Sequence, residues 1–175
     1  SNGSVIPHFR NQIEQGGPVT VTHKDIIRYF MTIPEACQLV LQAGTMGLGG
    51  EIFIFDMGQP IRILDMAERM IRLSGLEPYK DIDIEITGLR PGEKLFEELL
   101  NDTSTTLPTH QPKIMISKVP CGSFDDINTK MKILIKTATR HNDNQVVKLL
   151  KELVPEFISE NSEFEVLDSQ NLTPK

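Results

Sequence analysis

Apolar residues recur along this chain at helical spacing in some stretches and at alternate positions in others, which predicts a mixture of helices and strands. Ile6, Phe9 and Ile13 mark a helix over Val5 to Gln15, with Pro7 in its first turn and Gly16-Gly17 ending it. Val19-Thr20-Val21-Thr22 alternates as a strand. Asp25 to Met31 reads as a second extended stretch, with Ile27, Tyr29 and Met31 on one face and Ile26, Arg28 and Phe30 on the other. Thr32 then caps a helix and Glu35 completes a capping box, with Ala36, Leu39, Val40 and Ala43 as the inward stripe. Glu51 to Phe55 reads as a short buried strand. Asp65 with Glu68 opens another capped helix on Ala67, Met70, Ile71 and Ser74, ending at Gly75.

Asp83 to Thr87 alternates again, with Ile82, Ile84 and Ile86 on one face. A turn over Gly88 to Gly92 leads into a predicted helix from Glu93 to Leu100, buried through Leu95, Phe96, Leu99 and Leu100. Asn101 to Pro112 is polar and rich in Thr and Pro, as a linker is. Lys113 to Val119 reads as a strand. Ser123 with Asp126 opens a helix on Phe124, Ile127, Met131, Ile135 and Ala138; Asp143 caps a shorter one on Val146, Val147, Leu150 and Leu153, stopped by Pro155. The two helices predict an αα-hairpin. The expected organisation is a lobe over residues 1–100, a linker over 101–112, a strand and helical hairpin over 113–155, and a tail over 156–175.

Composition narrows the class. A chain of 175 residues with 39% apolar content can bury a working core. No apolar run approaches the roughly 18 residues of a membrane span. The net charge of -6, without a Lys/Arg block, gives no footprint for nucleic acid. Glu156, Glu160, Glu163, Glu165 and Asp168 concentrate acid in the tail, which reads as a solvated segment. Cys37 and Cys121 have no metal-ligand spacing, and Cys37 falls on the apolar side of its helix, so a buried, reduced thiol in the cytoplasm is expected. The Ser1-Asn2-Gly3 start reads as a sequence entered in its middle.

Four places invite chemistry. Gly47-Leu48-Gly49-Gly50 suggests a dinucleotide loop, but the fingerprint needs a strand before it and a helix after it, and here the order is reversed. The histidines His8, His23, His110 and His141 are scattered without partners at catalytic spacing. Gly3-Ser4-Val5-Ile6-Pro7 enters a helix whose first N–H groups suit a phosphate, or it is a plain helix start. Gly88-Leu89-Arg90-Pro91-Gly92-Glu93 sets a guanidinium on a stiff turn, and a planar fork there suits phosphate. With Arg28, it forms a two-arginine clamp for a diphosphate; alternatively, either arginine pairs with an acid such as Glu85.

Val5-Ile6-Pro7-x-Phe9, Arg28-Tyr29-Phe30-Met31-Thr32-Ile33-Pro34-Glu35-Ala36, Gly50-Glu51-Ile52-Phe53 and Arg90-Pro91-Gly92-Glu93-Lys94-Leu95 follow in that order. Together they resemble the C-terminal half of CapD-like polysaccharide-biosynthesis proteins, which are nucleotide-sugar 4,6-dehydratases and epimerases of the extended short-chain dehydrogenase/reductase superfamily. Leu107-Pro108-Thr109-His110, Pro112-Lys113-Ile114 and Val154 to Ser159 are similar to the late part of that family.

The resemblance implies an α/β (mixed α+β) fold: the substrate-binding lobe of such an enzyme without its Rossmann cofactor half, plus a C-terminal αα-hairpin. It implies a UDP-sugar ligand, similar to UDP-N-acetylglucosamine, held by Ser4 and Val5 through backbone donors. Val19, Thr20 and Val21 would border the base, Arg28 and Arg90 would grip the phosphates, and Glu93 would take a ribose hydroxyl. NAD or NADP would belong to the missing Rossmann half, and N-terminal spans outside this chain would attach the parent to the inner membrane. The family's catalytic Tyr-x-x-x-Lys pair is not in this sequence: four residues after Tyr29 and Tyr79 stand Ile33 and Asp83. The chain alone is therefore expected to bind substrate without turning it over, and to self-associate through apolar surface around Ile27, Phe30 and Phe53. The competing expectation is a non-catalytic protein-interaction module built on the hairpin and acidic tail.

Overall fold

The computed structural model describes residues 4–97, 106–118 and 122–168. It shows the mixed α/β fold expected, arranged as two units: residues 1–89 with 95–119, and residues 90–94 with 120–175.

The first unit begins with helix α1 (Val5–Glu14), which buries Phe9 and Ile13. Strand β1 (Val19–Val21) lies parallel to β5 (Ile84–Ile86), with Val19 opposite Ile84 and Val21 opposite Ile86. Helix α3 (Ile63–Leu73) packs, like α1, on β1. Their meeting faces form the larger core: Phe9, Ile13, Val19, Val21, Ile26, Ile63, Ala67, Ile71 and Ile82. The turn between α1 and β1 needs its glycines. Gly17 has φ +81°, and a Cβ there would meet Ile82 Cγ2 at 3.0 Å.

The rest of this unit is smaller. Strand β2 (Ile27–Arg28) pairs antiparallel with β4 (Ile61–Arg62). Helix α2 (Ile33–Met46) starts where predicted, with the Thr32 hydroxyl accepting from Glu35 N at 3.4 Å. It packs through Leu39 and Ala43 on Ile114, beside Phe53 and Phe55. Those residues belong to an antiparallel sheet in the order β3 (Phe53–Phe55), β7 (Ile114–Ser117), β6 (Thr106–Pro108).

Several expectations change here. Strand β6 falls inside the predicted linker, because pairing with β7 (Leu107 opposite Ile116) overrides its Thr/Pro composition. Strand β7 belongs to the first unit and not with the helical hairpin. Helix α3 starts two residues early: Ile63 is buried and begins the stripe Ile63, Ala67, Ile71, while Asp65 pairs with Arg62 and Glu68 with Arg72. Val40 and Cys37 face outward. No helix begins at Glu93. The Leu95 carbonyl accepts from Ile27 N (3.3 Å) in place of a helical N–H, and residues 98–100 lie outside the described chain. Ile27, Phe30 and Phe53 are half-buried; the apolar residues left exposed include Ile33, Leu41 and Leu48.

The second unit contains the expected hairpin, α4 (Phe124–Ala138) against α5 (Asp143–Leu153), with Asn142 and not Asp143 as the cap of α5. Its surprise is the acidic tail. Lys151 on α5 is 3% exposed; its ammonium donates to the Asp168 carboxylate and to Phe157 O (3.1 Å), and lies 4.6 Å from the centre of the Phe157 ring. Residues 157–168 thus fold back on α5 through a short 3-10 helix (Glu163–Leu167) whose Leu167 is buried. A charge count cannot see that one acid of five has a buried cation waiting for it. Among the described residues no helix is long and apolar enough to cross a membrane.

Candidate functional site

The start of α1 has the features a phosphate would use. Ser4 is extended (φ -65°, ψ 143°), its hydroxyl makes no capping bond, and the first turn carries no acidic side chain. Nothing on the helix itself neutralises the positive end of its dipole. Beside it, β1 presents less than expected. The side chains of Val19 and Val21 are fully buried, so these two could border a ligand only through backbone. That backbone is itself engaged by β5 and its flanks: Val19 N donates to Asp83 O (2.8 Å) and Val21 O accepts from Thr87 N (3.0 Å). Thr20 is the outward residue, and Gln12 of α1 holds it twice. Gln12 Nε2 donates to Thr20 Oγ1 (2.8 Å), and Thr20 N donates to Gln12 Oε1 (3.1 Å). This amide ties α1 to the strand, and nothing in the sequence around Gln12 marks it.

Arg28 is half-buried. Its Nη1 donates to Ile27 O (2.7 Å) and its Nε lies 3.3 Å from Glu97 Oε1. An acid does pair with Arg28, but it is Glu97; Glu85 stands exposed on β5. Arg90 is in the other unit. It is exposed, and among the described residues its guanidinium forms no ion pair.

The Arg90-Pro91-Gly92-Glu93 run forms a tight turn for reasons visible in its letters. Proline presets the second position and Gly92 takes φ +76° at the third, the pattern of a type II turn. Glu93 N donates to Arg90 O (2.9 Å), and the Glu93 carboxylate accepts from Arg90 N (3.0 Å). Glu93, predicted to take a ribose hydroxyl, therefore spends one carboxylate oxygen on fixing the arginine's backbone.

Three further places settle what they are used for. Leu48 N and Gly49 N donate to the Glu51 carboxylate (2.7 Å for Gly49), so the glycine loop closes on an acid of its own. Backbone N–H groups of Glu51, Gly49 and Leu48 hold that carboxyl below its usual pKa. Tyr79, at φ +64°, donates its hydroxyl to Glu68 (3.2 Å). Partial desolvation and the Glu68 carboxylate push its pKa up, the wrong direction for a tyrosine that must ionise. A cavity of about 280 Å³ in the first unit is lined by Phe30, Met31, Glu35, Asp56, Met57, Gly58, Gln59 and Lys113. Lys113 pairs with Glu35 at 2.5 Å, which raises the lysine's pKa. Two carboxylates against one ammonium leave this lining net negative, so it disfavours a diphosphate. Sequence gave no hint of it, since Glu35 read as a helix cap and Lys113 stands 78 residues away.

The family described as "Polysaccharide biosynthesis protein" matches residues 1–119, a span that contains Ser4, β1, Arg28, Arg90 and Glu93. This chain belongs to that family. It is 50% identical over 152 residues to the capsular polysaccharide biosynthesis protein CapD of Staphylococcus aureus, covering 86% of this chain and 24% of that protein. It is 35% identical over 101 residues to a UDP-glucose 4-epimerase of Rickettsia massiliae, covering 58% of this chain and 28% of the relative. The X-ray structure of Pen from Bacillus thuringiensis aligns with a TM-score of 0.58 and 37% identity over 67% of this chain and 35% of that one. The chain therefore spans about a quarter of the length of these two curated relatives. The family match ends where most of the second unit begins.

Proposed function

We propose that this chain is the UDP-sugar-binding part of a nucleotide-sugar dehydratase or epimerase of polysaccharide biosynthesis. The observation that carries this reading is the extent of the family match: residues 1–119 include every position proposed to touch the nucleotide. A relative named as a UDP-glucose 4-epimerase supports a UDP-sugar in particular. In this reading the Ser4–Val5 helix start offers backbone donors to the diphosphate, Thr20 on β1 faces the base, and Arg28 and Arg90 supply positive charge. Arg90 has its guanidinium free of ion pairs among the described residues, so it could meet a phosphate without giving up an acid, whereas Arg28 would share its charge with Glu97. Its role rests on the motif and its exposure.

The parent reaction oxidises the sugar at C4, which acidifies the neighbouring C–H, and then returns the hydride. NAD or NADP would supply the hydride acceptor, bound to a Rossmann half joined to this lobe. What this chain's residues would contribute is grip and orientation of the nucleotide.

Calorimetric titration with UDP tests the assignment. A charge-assisted hydrogen bond is worth about 1.5–3 kcal/mol, so Arg90→Ala should weaken UDP binding roughly tenfold to a hundredfold. Arg90→Lys should recover only part, because a point charge cannot reproduce the fork. An Arg90→Ala chain that binds UDP like the parent removes the arginine from the site.

The second reading, a protein-interaction module, is favoured by α4, which buries none of its residues and leaves Phe124 78% and Ile135 58% exposed. It predicts that Phe124→Ser abolishes a protein contact while leaving UDP titration unchanged.

A further inference from the structure

The Arg90 turn is held by a loop some seventy residues away in sequence. Gly92 N donates to Glu160 O at 2.7 Å, and Asn161 Nδ2 donates to Glu93 O at 2.8 Å. One bond thus grips the turn at its third residue and the other at its fourth. The loop is in turn fixed to α5. The Asp168 carboxylate accepts from Ser159 N (3.1 Å) and from the buried ammonium of Lys151, which also holds Phe157 O. Asn161 sits at φ +54°, a conformation asparagine tolerates better than most residues, and its own N–H donates to Glu165 Oε1. Its backbone is thus fixed where the side-chain amide reaches the turn.

We propose that residues 159–161 are a brace for the Arg90 turn, with Asn161 as a positioning residue and the Lys151–Asp168 pair as its anchor. An exposed four-residue turn is mobile when only its own hydrogen bonds close it. Fixing it from a second element removes that freedom before a ligand arrives, so less is lost on binding. The acidic segment that reads as tail is then part of the ligand machinery. What Arg90 binds rests on the nucleotide reading above; that the brace orders the turn does not.

The test uses the whole chain with Asn161→Asp, which keeps the size and removes the donor, and Asn161→Gly, which keeps the backbone conformation and removes the amide. Two readouts are taken: hydrogen exchange at the Gly92 amide by NMR, and calorimetric titration with UDP. Both variants are expected to speed Gly92 exchange, with the α5 amides as protected as before, and to weaken UDP about threefold to tenfold, the loss of one neutral hydrogen bond. In an Arg90→Ala background the same substitutions should cost no further affinity, because there is no guanidinium left to position. Unchanged Gly92 exchange overturns the brace. Faster exchange with unchanged UDP affinity, or an affinity loss that adds fully to that of Arg90→Ala, overturns the positioning role. If the unsubstituted chain does not bind UDP at all, the nucleotide reading fails and Gly92 exchange alone decides the brace.

Discussion

Gln12 offers a quantitative test of how α1 is held against β1. Its amide makes two bonds to Thr20, one to the hydroxyl (2.8 Å) and one from the backbone N–H (3.1 Å), at a half-buried junction between α1 and β1. Each neutral hydrogen bond contributes about 0.5–1.5 kcal/mol, so Gln12→Ala should destabilise the first unit by about 1–3 kcal/mol. Thr20→Val removes only the hydroxyl and keeps the N–H bond, so it should cost about half as much. The double variant should lose less than the sum of the two, by about 0.5–1.5 kcal/mol, which is the shared bond counted once. Because the chain has two units, a single unfolding midpoint would mix them. Urea unfolding should instead be followed through the methyl signals of Val19 and Ile71, which are buried in the first unit's core. A Gln12→Ala cost below about 0.5 kcal/mol, or strictly additive variants, would rule out the amide as the tie between α1 and β1. It would mean that apolar packing of Phe9 and Ile13 alone sets α1 against β1.

Acid should release the C-terminal segment. The hydrogen bond from Lys151 is the main cause of a lowered Asp168 pKa in the folded chain, with Ser159 N assisting. The stability it supplies is therefore present above the unfolded carboxylate range, near 4, and is lost as pH falls through the lower folded value. Amide protection at Ser159 and Leu167 should collapse in that window while α3 stays protected; loss already at neutral pH would contradict the sign. Exposed Ile33, Leu41 and Leu48 should drive self-association, read by light scattering across concentration, and a clean monomer at high concentration argues against it. With UDP-N-acetylglucosamine and added NAD or NADP, this chain should show no turnover, since neither tyrosine has a lysine four residues on. A measurable rate free of host enzyme would overturn that.

What the sequence disclosed depended on whether a local pattern or a distant partner decided each element. The starts of α1, α2 and α4 and the position of β1 were legible because spacing and capping act within a few residues. Strand β6 was not, since Leu107 finds its place only against Ile116. The stretch after Glu93 looked helical because Leu95 and Phe96 are apolar, yet Leu95's carbonyl is engaged by Ile27, 68 residues earlier in the chain. Among the candidate residues, Arg28 and Arg90 stood out as charges in unexpected settings. Gln12, Asn161 and the Lys151–Asp168 pair did not, because a polar residue on a helix or loop carries no mark of the partner it meets across 8, 68 or 17 residues. Val19 and Val21 were rightly read as strand, and the same alternation turns both side chains to the buried face, which leaves Thr20 as the outward residue.

The proposed function requires that this chain recognise a nucleoside diphosphate. Calorimetric titration of the unsubstituted chain with UDP, and separately with uridine, tests it most directly. UDP should bind measurably and more weakly as salt is raised, and uridine should bind at least tenfold more weakly, because the helix start and the arginines would act on phosphate. No binding of UDP, or equal affinity for uridine, would contradict it.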